Sequence, residues 1–484
     1  MNPSQRSGLF LLALFSALLT GRAAPAGAEA LLLVTGDQHS AYERTAQLVA
    51  TVDRLKAENP GLPLAILLDG DTLEYSNIVA RRSGGAVDFA MFTALAARAP
   101  TILNLGNHEP EFYDLEETVR RVEATGVKVV SNITNRATNR PFAPASVLLP
   151  LGRETAVVVG VTTDNLSFYR VAVRPSLDLA NPVVWAKKNF PLLLKVERAD
   201  PSALNDIHPG EKRPEVRPLH PTINIVLSHT GIAADKQLLA LVPDGTLFAG
   251  AHDHVRFVQP SGRTVYFHSG SWGEYLSLAW LCRDAAGAPR WVVEQIHLAT
   301  DGPAEAALAA LIRETKAKYL TPEDTAVVGR VAVAMSTAEA AKFAAGALAD
   351  AAKVDAAFIG NTTFGAGLPA GGVTRTEFDS CVRFDGTLCT AEVGGARLQQ
   401  LLAAANQGPD TPFEQRHGEF CFAAGPGVID PAKTYRIATT DWGAKNSVRY
   451  FGEPVIVWSE QPALKLKAAV LAKLAGTNAA PAGR

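Results

Sequence analysis

Several signatures that would assign an activity directly are missing from this chain of 484 residues. It has no GxxxxGK[ST] phosphate loop, no GxSxG nucleophile elbow and no HExxH helix. Its 46 Lys and Arg residues nearly balance its 48 Asp and Glu residues. A chain without excess charge of one sign is not expected to bind nucleic acid through a basic face.

Cysteine is scarce as well. None of the four cysteines lies in a CxxC pair, which argues against a zinc–thiolate site. Cys282, in the apolar run SLAWLC, is expected to be a small buried hydrophobe. Cys381 and Cys389 could close a short loop if the protein is exported, and the pairing among these two and Cys421 stays open.

Long apolar runs are confined to the N-terminus. Arg6 precedes LFLLALFSALLT, which is too short to span a bilayer, and the small residues Ala26-Gly27-Ala28 follow. This pattern predicts a signal peptide over residues 1–28, cleaved after Ala28 or Ala30. The alternative is an uncleaved anchor helix. We expect a periplasmic or secreted protein with no stable membrane insertion after cleavage.

The length and a hydrophobic content of 47% predict two globular domains. Strand-like runs alternate with amphipathic helical stretches over residues 31–300, which predicts a layered α/β sandwich domain with one or two sheets. Residues 301–326 read as a linker helix, and residues 327–476 as a C-terminal α+β domain with a last helix at 462–474. The tail at 477–484 is expected to be disordered.

Polar motifs close five of the strand-like runs. They are Asp37-Gln38-His39, Gly70-Asp71, Gly106-Asn107-His108-Glu109, Ser228-His229 and His252-Asp253-His254. Because an open α/β sheet builds its site at the carboxyl ends of its strands, we expect these side chains to meet. Any one motif could be ordinary turn chemistry, but the whole series in order favours a site.

These residues can hold two divalent ions. Asp71 is the candidate bridging carboxylate; Asp37, His39 and His254 would complete one ion, and Asn107, His229 and His252 the other. The ligand types suit Mn, Fe, Co or Zn. Two such ions would activate a water for hydrolysis, and we expect the substrate to be a phosphate ester.

His108 follows a predicted ligand and is the candidate donor to the charge that builds in the transition state. Glu111, three residues later, is the candidate carboxylate that orients it. Asp69 and Glu109 are interpreted as supporting or turn residues, and Asp253 as a non-ligand. His268 is expected in the core, whereas His208 and His220 are expected in solvent.

In this order the motifs resemble those of the calcineurin-like metallophosphoesterases. The chain is similar to the secreted two-domain 5′-nucleotidases, which include UDP-sugar hydrolases and 2′,3′-cyclic-nucleotide phosphodiesterases. The segments GRTVYFHSGSWGEYL, RFDGTLCTAEVGGARLQQLL and TYRIATTDW carry the similarity beyond the ligands. The resemblance implies the same two ligand sets and a transition-state role for His108, with Glu111 at the place of the family's Asp.

The resemblance is weaker in the substrate pocket. Asn361 matches the first residue of the family's Asn-Gly-Gly stretch, but Thr362-Thr363 follow and no Arg comes soon after. Phe384 matches one of the two rings that stack on a nucleobase, although a core position is equally open. Tyr450 or Phe451 is the candidate for the second ring.

We therefore expect an exported dinuclear phosphohydrolase that is 5′-nucleotidase-like and acts on a nucleotide or a related small phosphoester. Two alternatives remain open. The same scaffold could act on a non-nucleotide ester, either a sugar phosphate or a sulfur-linked group, or the chain could be a binding protein with a degenerate site. The sequence leaves the oligomeric state open.

Overall fold

The structure, a computed structural model, describes residues 24–194 and 223–476. Most of the predicted signal peptide, His208, His220 and the predicted disordered tail lie outside these residues. Within the described part of the chain, no helix is long and apolar enough to cross a membrane.

The strands of the described residues are β1 (Ala30–Gly36), β2 (Leu64–Asp69), β3 (Thr101–Asn104), β4 (Lys128–Val130), β5 (Thr134–Asn135), β6 (Arg140–Pro141), β7 (Ser146–Leu151), β8 (Glu154–Thr162), β9 (Leu177–Asp178), β10 (Ile223–His229), β11 (Leu247–Gly250), β12 (Arg256–Ser261), β13 (Thr264–Ser269), β14 (Tyr275–Arg283), β15 (Pro289–His297), β16 (Val327–Val331), β17 (Ala356–Gly360), β18 (Gly371–Thr374), β19 (Thr387–Gly394), β20 (Cys421–Ala424), β21 (Thr434–Thr440) and β22 (Ser459–Lys465). The α-helices are α1 (Tyr42–Glu58), α2 (Ile78–Ser83), α3 (Ala86–Ala96), α4 (Leu115–Ala124), α5 (Pro182–Leu193), α6 (Ile232–Leu238), α7 (Ala306–Tyr319), α8 (Thr337–Ala352), α9 (Arg375–Cys381), α10 (Gly395–Ala404), α11 (Asp441–Lys445), α12 (Ser447–Phe451) and α13 (Leu466–Gly476).

Two six-stranded sheets form the centre of the N-terminal domain. Their strand orders are β15-β14-β1-β2-β3-β4 and β12-β13-β11-β10-β8-β7. One face of each sheet packs against the other through a buried apolar cluster that includes Leu32, Leu67, Val158, Leu227 and Phe267. The outer face of the first sheet is covered by α1, α3, α4 and α7. The predicted layered α/β sandwich is confirmed, and it contains two sheets.

Strand β1 illustrates why the sequence folds this way. All seven of its residues are buried, and its parallel partner β2 is an equally apolar run. Leu31 and Leu33 belong to the helix-facing cluster, while Leu32 and Val34 belong to the cluster between the sheets. A strand covered on both faces reads as continuous hydrophobic sequence. The polar residues that follow it are therefore confined to the sheet edge.

The C-terminal domain is an α+β unit, as predicted. A five-stranded sheet in the order β20-β17-β21-β19-β22 packs against the alanine-rich helix α8 and against α13. A capping box between Ser336 and Glu339 begins α8. Its small side chains allow close packing, and Ala340, Ala341 and Ala344 are buried.

Three further local predictions concern the linker helix, the last helix and the cysteines. Helix α7 lies in the predicted linker, and its Leu308 and Ile312 pack into the N-terminal core. The predicted helix at 462–474 is wrong in its first turn, because Ser459–Lys465 pairs with β19 before α13 begins. All four cysteines lie in described residues and are free and buried, so Cys381 and Cys389 are not joined.

Candidate metal centre

The polar motifs meet at one edge of the sandwich. Four of them follow β1, β2, β3 and β11, and Ser228-His229 ends β10; the carboxyl ends of these strands converge there. Five predicted ligands have left-handed backbone conformations, with φ between 47° and 82°: Asp37, His39, Asp71, His252 and His254. Non-glycine residues in this region are strained and concentrate at functional sites. Position 70 requires glycine (Gly70, φ 72°), because a Cβ there would lie 2.5 Å from Nδ1 of His229.

The first group of potential ligands contains Asp37, His39 and His254. The Nε2 atoms of His39 and His254 lie 2.9 Å apart. Oδ1 of Asp37 lies 3.8 Å from Nε2 of His39 and 3.7 Å from Nε2 of His254. Asp37 and His39 are fully buried. One carboxylate and two imidazoles thus converge on one small volume.

The second group contains Asp71, His229 and His252. Nε2 of His229 lies 3.0 Å from Oδ2 of Asp71 and 3.9 Å from Oδ1 of Asp37. Asp71 also forms a potential ligand group with His39 and His108. It therefore lies between the two sets of imidazoles.

The donor atoms fit divalent ions. Oδ1 of Asn107 and Nδ1 of His252 are buried and have no hydrogen-bond partner among the described residues. Buried polar atoms of this kind are rare unless something else satisfies them. Carboxylate, amide oxygen and imidazole are ligands of borderline divalent metals, so the seven predicted ligands form a chemically suitable set.

Metal binding needs neutral imidazole and ionised carboxylate, which some but not all of the predicted ligands provide. Burial raises the pKa of Asp37 well above normal, and burial of His229 is outweighed by Asp71, which leaves the pKa of His229 well above normal. Burial lowers the pKa of His252 and of His254 well below the usual value, so both rings keep a lone pair at pH 7. Burial raises the pKa of Asp71, but His229 and His108 outweigh it and leave that pKa well below normal. Asp71 is consequently ionised.

Neighbouring acids hold the motif loops in place. Glu109 accepts hydrogen bonds from the backbone N–H groups of Asp71, Thr72 and Gly106, at 3.0, 2.8 and 2.6 Å. The carbonyl oxygen of Asp69 lies 2.7 Å from Nδ1 of His229, which leaves Nε2 of that ring for the site.

The side chains of Asp253 and His268 point away from the potential ligand groups. Asp253 accepts from the N–H of Ile232 at 2.5 Å. His268 belongs to a buried cluster with Asp235 and Tyr266.

His108 lies beside the potential ligands with carboxylates behind it. Its Nε2 is 3.9 Å from Oδ2 of Asp71, and its Nδ1 is 3.0 Å from Oε1 of Glu111 and 3.6 Å from Oε2 of Glu74. Burial lowers the pKa of His108, but Asp71, Glu74 and Glu111 outweigh it and raise the pKa to about 9. With these neighbours the ring carries a proton on each nitrogen.

Sequence reasoning missed several side chains at this centre. Glu74 contacts His39 and His108, and Arg383 of the C-terminal domain pairs with Glu74. The ring of Trp272 stacks on His39 at 5.3 Å, and the ring of Phe168 meets His252 at 4.8 Å. Of these side chains, only Glu74 could have been identified from the sequence, because it is a carboxylate three residues after Asp71.

The predicted substrate-binding residues lie in three different places. Phe384 is 48% exposed and lines a cavity of about 1010 Å³ between the domains, together with His108 and Glu111. Asn361 is buried, and its Nδ2 donates to the carbonyl oxygen of Asp253 at 2.8 Å, so it ties the C-terminal domain to the loop that carries His252 and His254.

Phe451 does not join Phe384 at the cavity between the domains. It is 5% exposed and packs against Phe358 and Trp458 in the C-terminal core, beside a smaller cavity. Its position does not support its predicted role as a second stacking ring. Tyr75, which is 43% exposed, lines the cavity that Phe384 lines.

Comparison with known proteins agrees with this arrangement. Residues 30–256 match the family model for calcineurin-like phosphoesterases, and residues 325–428 match that for the 5′-nucleotidase C-terminal domain. Together the two models cover most of the chain. No curated protein matches the sequence.

Solved structures share the fold across both domains. A 5′-nucleotidase precursor from Thermus thermophilus is 16% identical with a TM-score of 0.59, over 94% of this chain and 98% of that one. The sulfate thiohydrolase SoxB from the same organism is 15% identical with a TM-score of 0.59, over 94% and 95%. The 5′-nucleotidase from Candida albicans is 13% identical with a TM-score of 0.58, over 94% and 99%. The chain therefore belongs to the calcineurin-like phosphoesterases that carry a 5′-nucleotidase C-terminal domain, a family of metal-dependent phosphoester hydrolases.

Proposed function

We propose that the protein is an exported dinuclear metal-dependent phosphohydrolase, 5′-nucleotidase-like, that cleaves a nucleotide or a related small phosphoester. The observation that carries the proposal is the convergence of two ligand groups on Asp71 with His108 beside them. The fully assigned set is Asp37, His39, Asp71 and His254 for one ion, and Asp71, Asn107, His229 and His252 for the other.

When bound, two divalent ions supply Lewis-acid stabilisation and a water of lowered pKa. The residues of the chain would position these ions. The ligand loops fix the two positions, and the ligand types are compatible with Mn, Zn, Co or Fe. Nε2 of His229 lies 3.0 Å from Oδ2 of Asp71, and His229 would have to lose its proton to bind a metal.

His108 is proposed to stabilise the transition state. Nε2 of this ring faces the ligand cage while Nδ1 is held by Glu111 at 3.0 Å. A protonated Nε2 donates a hydrogen bond to a phosphoryl or leaving-group oxygen as negative charge develops there. Glu111 keeps the ring in the orientation that this donation requires.

The cavity between the domains is the proposed substrate site. Its volume of about 1010 Å³ accommodates a nucleotide, and His108, Glu111 and Phe384 line it. Phe384 offers an exposed ring on which a flat heterocycle can stack. Asn361 is proposed to act indirectly, by holding the loop of His252 and His254.

A second candidate substrate class is a compact non-nucleotide ester, either a sugar phosphate or a sulfur-linked group. The burial of Phe451 favours it, because the predicted pair of stacking rings is not assembled. The fold shared with a thiohydrolase, SoxB, points to the same class. We rank it second because the ligand set and the placement of His108 beside it would suit phosphoryl transfer directly.

A substrate panel on the mature, metal-loaded protein tests the proposal. Nucleoside monophosphates, UDP-sugars, 2′,3′-cyclic nucleotides, sugar phosphates and a thiosulfate ester would be compared at saturating Mn²⁺. Hydrolysis of any of the phosphate esters supports a phosphohydrolase if it is lost on chelation and restored by Mn²⁺, Co²⁺ or Zn²⁺. It is measured as free phosphate from the monoesters and as nucleoside monophosphate from the UDP-sugars and cyclic nucleotides. Turnover of the thiosulfate ester alone contradicts it.

Metal content separates an enzyme from a degenerate binding protein. Two ions per chain by plasma mass spectrometry support the dinuclear site, whereas a protein that takes up none is a scaffold. Export is tested by fractionation: the signal-like segment predicts that the mature chain appears outside the cytoplasm and begins near residue 29.

A further inference from the structure

We propose that Glu74 is a positioning residue that orients the proposed metal ligand His39, and that Arg383 of the C-terminal domain completes this contact. The inference rests on the proposed metal site and assigns to it two residues from outside the ligand motifs.

Glu74 lies directly behind His39. It follows β2, its side chain is 2% exposed, and its Oε2 is 3.1 Å from Nδ1 of His39. Nε2 of the same ring faces Nε2 of His254 at 2.9 Å. A carboxylate at Nδ1 fixes the tautomer that leaves the Nε2 lone pair free for a metal.

Arg383 compensates the charge of the buried Glu74 carboxylate. The guanidinium pairs with Oε2 of Glu74, and the two side chains are 1% and 2% exposed. A buried carboxylate without such a partner strongly destabilises the folded state. Because Glu74 belongs to the N-terminal domain and Arg383 to the C-terminal domain, the pair forms only when the domains are in contact at this centre.

Trp272 provides a second connection between Arg383 and His39. Its guanidinium carbon lies 5.3 Å from the centre of the Trp272 ring, which stacks on His39 at 5.3 Å with an angle of 29° between the planes. His39 is therefore held between the indole and the Glu74 carboxylate, and Arg383 touches both supports.

The arrangement has an energetic consequence. Glu74 is within 3.6 Å of Nδ1 of His108, so without Arg383 it is free to shift from His39 toward His108 and compete with Glu111. Loss of Arg383 should thus weaken metal binding at the His39 side.

Isothermal titration of the metal-stripped mature chain with Mn²⁺ tests the proposal. Loss of a carboxylate behind a metal-bound histidine lowers metal affinity about 10- to 100-fold. Glu74→Gln should therefore weaken one of the two sites by about that factor and leave the other near wild type. Arg383→Gln should weaken the same site by a smaller factor.

Arg82→Gln is the matched control. Arg82 pairs with Asp324 of the linker segment, and neither residue belongs to a potential ligand group, so its loss should leave both Mn²⁺ affinities unchanged. Wild-type Mn²⁺ affinity in both Glu74→Gln and Arg383→Gln would overturn the proposal.

A double variant guards against a purely structural effect. Removing both members of a buried ion pair avoids an uncompensated charge, so Glu74→Gln with Arg383→Met should fold. It should still show the weakened site, and recovery of wild-type affinity would overturn the positioning role. If wild-type protein itself binds no Mn²⁺, the proposed function fails first, which distinguishes the two failures.

Discussion

Nδ1 of His108 lies 3.0 Å from Oε1 of Glu111, three residues further along the chain. A short 3₁₀ turn over Glu109–Glu111 brings the two side chains to one side, with the N–H of Glu111 bonded to the carbonyl of His108 at 3.1 Å. The longer glutamate side chain therefore reaches the imidazole without displacing the backbone. His108 and Glu111 form a pair that can act as a unit.

Substitution of this pair should be non-additive. Loss of a positioned imidazole costs about 10²–10⁴ in rate, so His108→Gln should lower kcat by that factor with little change in KM. Glu111→Gln should lower kcat by less, because the ring remains but loses its orientation. The double variant should be no slower than His108→Gln.

Steady-state kinetics on a simple phosphate monoester would measure these rates, with Glu116→Gln as the control because Glu116 is exposed on α4. A double variant whose loss equals the product of the single losses would show that the two residues act independently.

A second prediction concerns the shared carboxylate. Asp71→Asn removes a charge from the position between the two imidazole sets, so it should lower the bound metal below two ions per chain and reduce hydrolysis to background. Plasma mass spectrometry and the phosphate-release assay would be run on the same sample. Two tightly bound ions in this variant would contradict the bridging assignment.

The ligand motifs were accessible from sequence for a physical reason. Each closes an apolar run, and parallel strands present their carboxyl ends at one edge of a sheet, as β1, β2 and β3 do. Convergence of Asp37 with His252 and His254 needs more than that rule, because β1 and β11 lie in different sheets and meet only through the packing of one sheet on the other.

The remaining features depend on packing that no local pattern encodes. Arg383 reaches Glu74 only because the C-terminal domain docks at the metal centre. Phe451 is apolar whether it faces a ligand or a core, and sequence cannot separate the two. The predicted helix at 462–474 includes the last four residues of β22, whose mostly polar, exposed residues show no alternation, and the pairing of β22 with β19 is a tertiary property.

A third prediction tests the exposed ring of the substrate cavity. Stacking of a base on Phe384 is worth about 0.5–1.5 kcal/mol, so Phe384→Leu should raise KM for a nucleoside monophosphate about 2- to 12-fold. KM for a phosphate monoester without a ring should not change. Equal effects on both substrates, or on neither, would argue against base recognition by Phe384 and favour the compact-ester alternative.

A final prediction concerns stability and involves Asp88, in the first turn of α3. Its side chain is buried, and Oδ2 accepts a hydrogen bond from the hydroxyl of Tyr42 at 2.7 Å. Burial outweighs the hydrogen bonds and raises the pKa of Asp88 to about 7. In the unfolded chain the pKa is about 3.9. Between about pH 4 and pH 7 the unfolded chain releases the proton while the folded chain keeps it, so Asp88 increasingly destabilises the fold as pH rises.

Asp88→Asn removes this penalty and keeps an oxygen that can accept from Tyr42. The variant should be more stable than wild type at pH 8, by a few kcal/mol at most since one pKa unit corresponds to about 1.4 kcal/mol, and indistinguishable from it near pH 4. Urea unfolding at pH 4, 6 and 8 in the presence of EDTA would measure the difference without a contribution from bound metal. Glu123→Gln, an exposed change on α4, should show no such trend. A stability difference that stays constant from pH 4 to pH 8 would mean that Asp88 does not titrate between the two states as its burial requires.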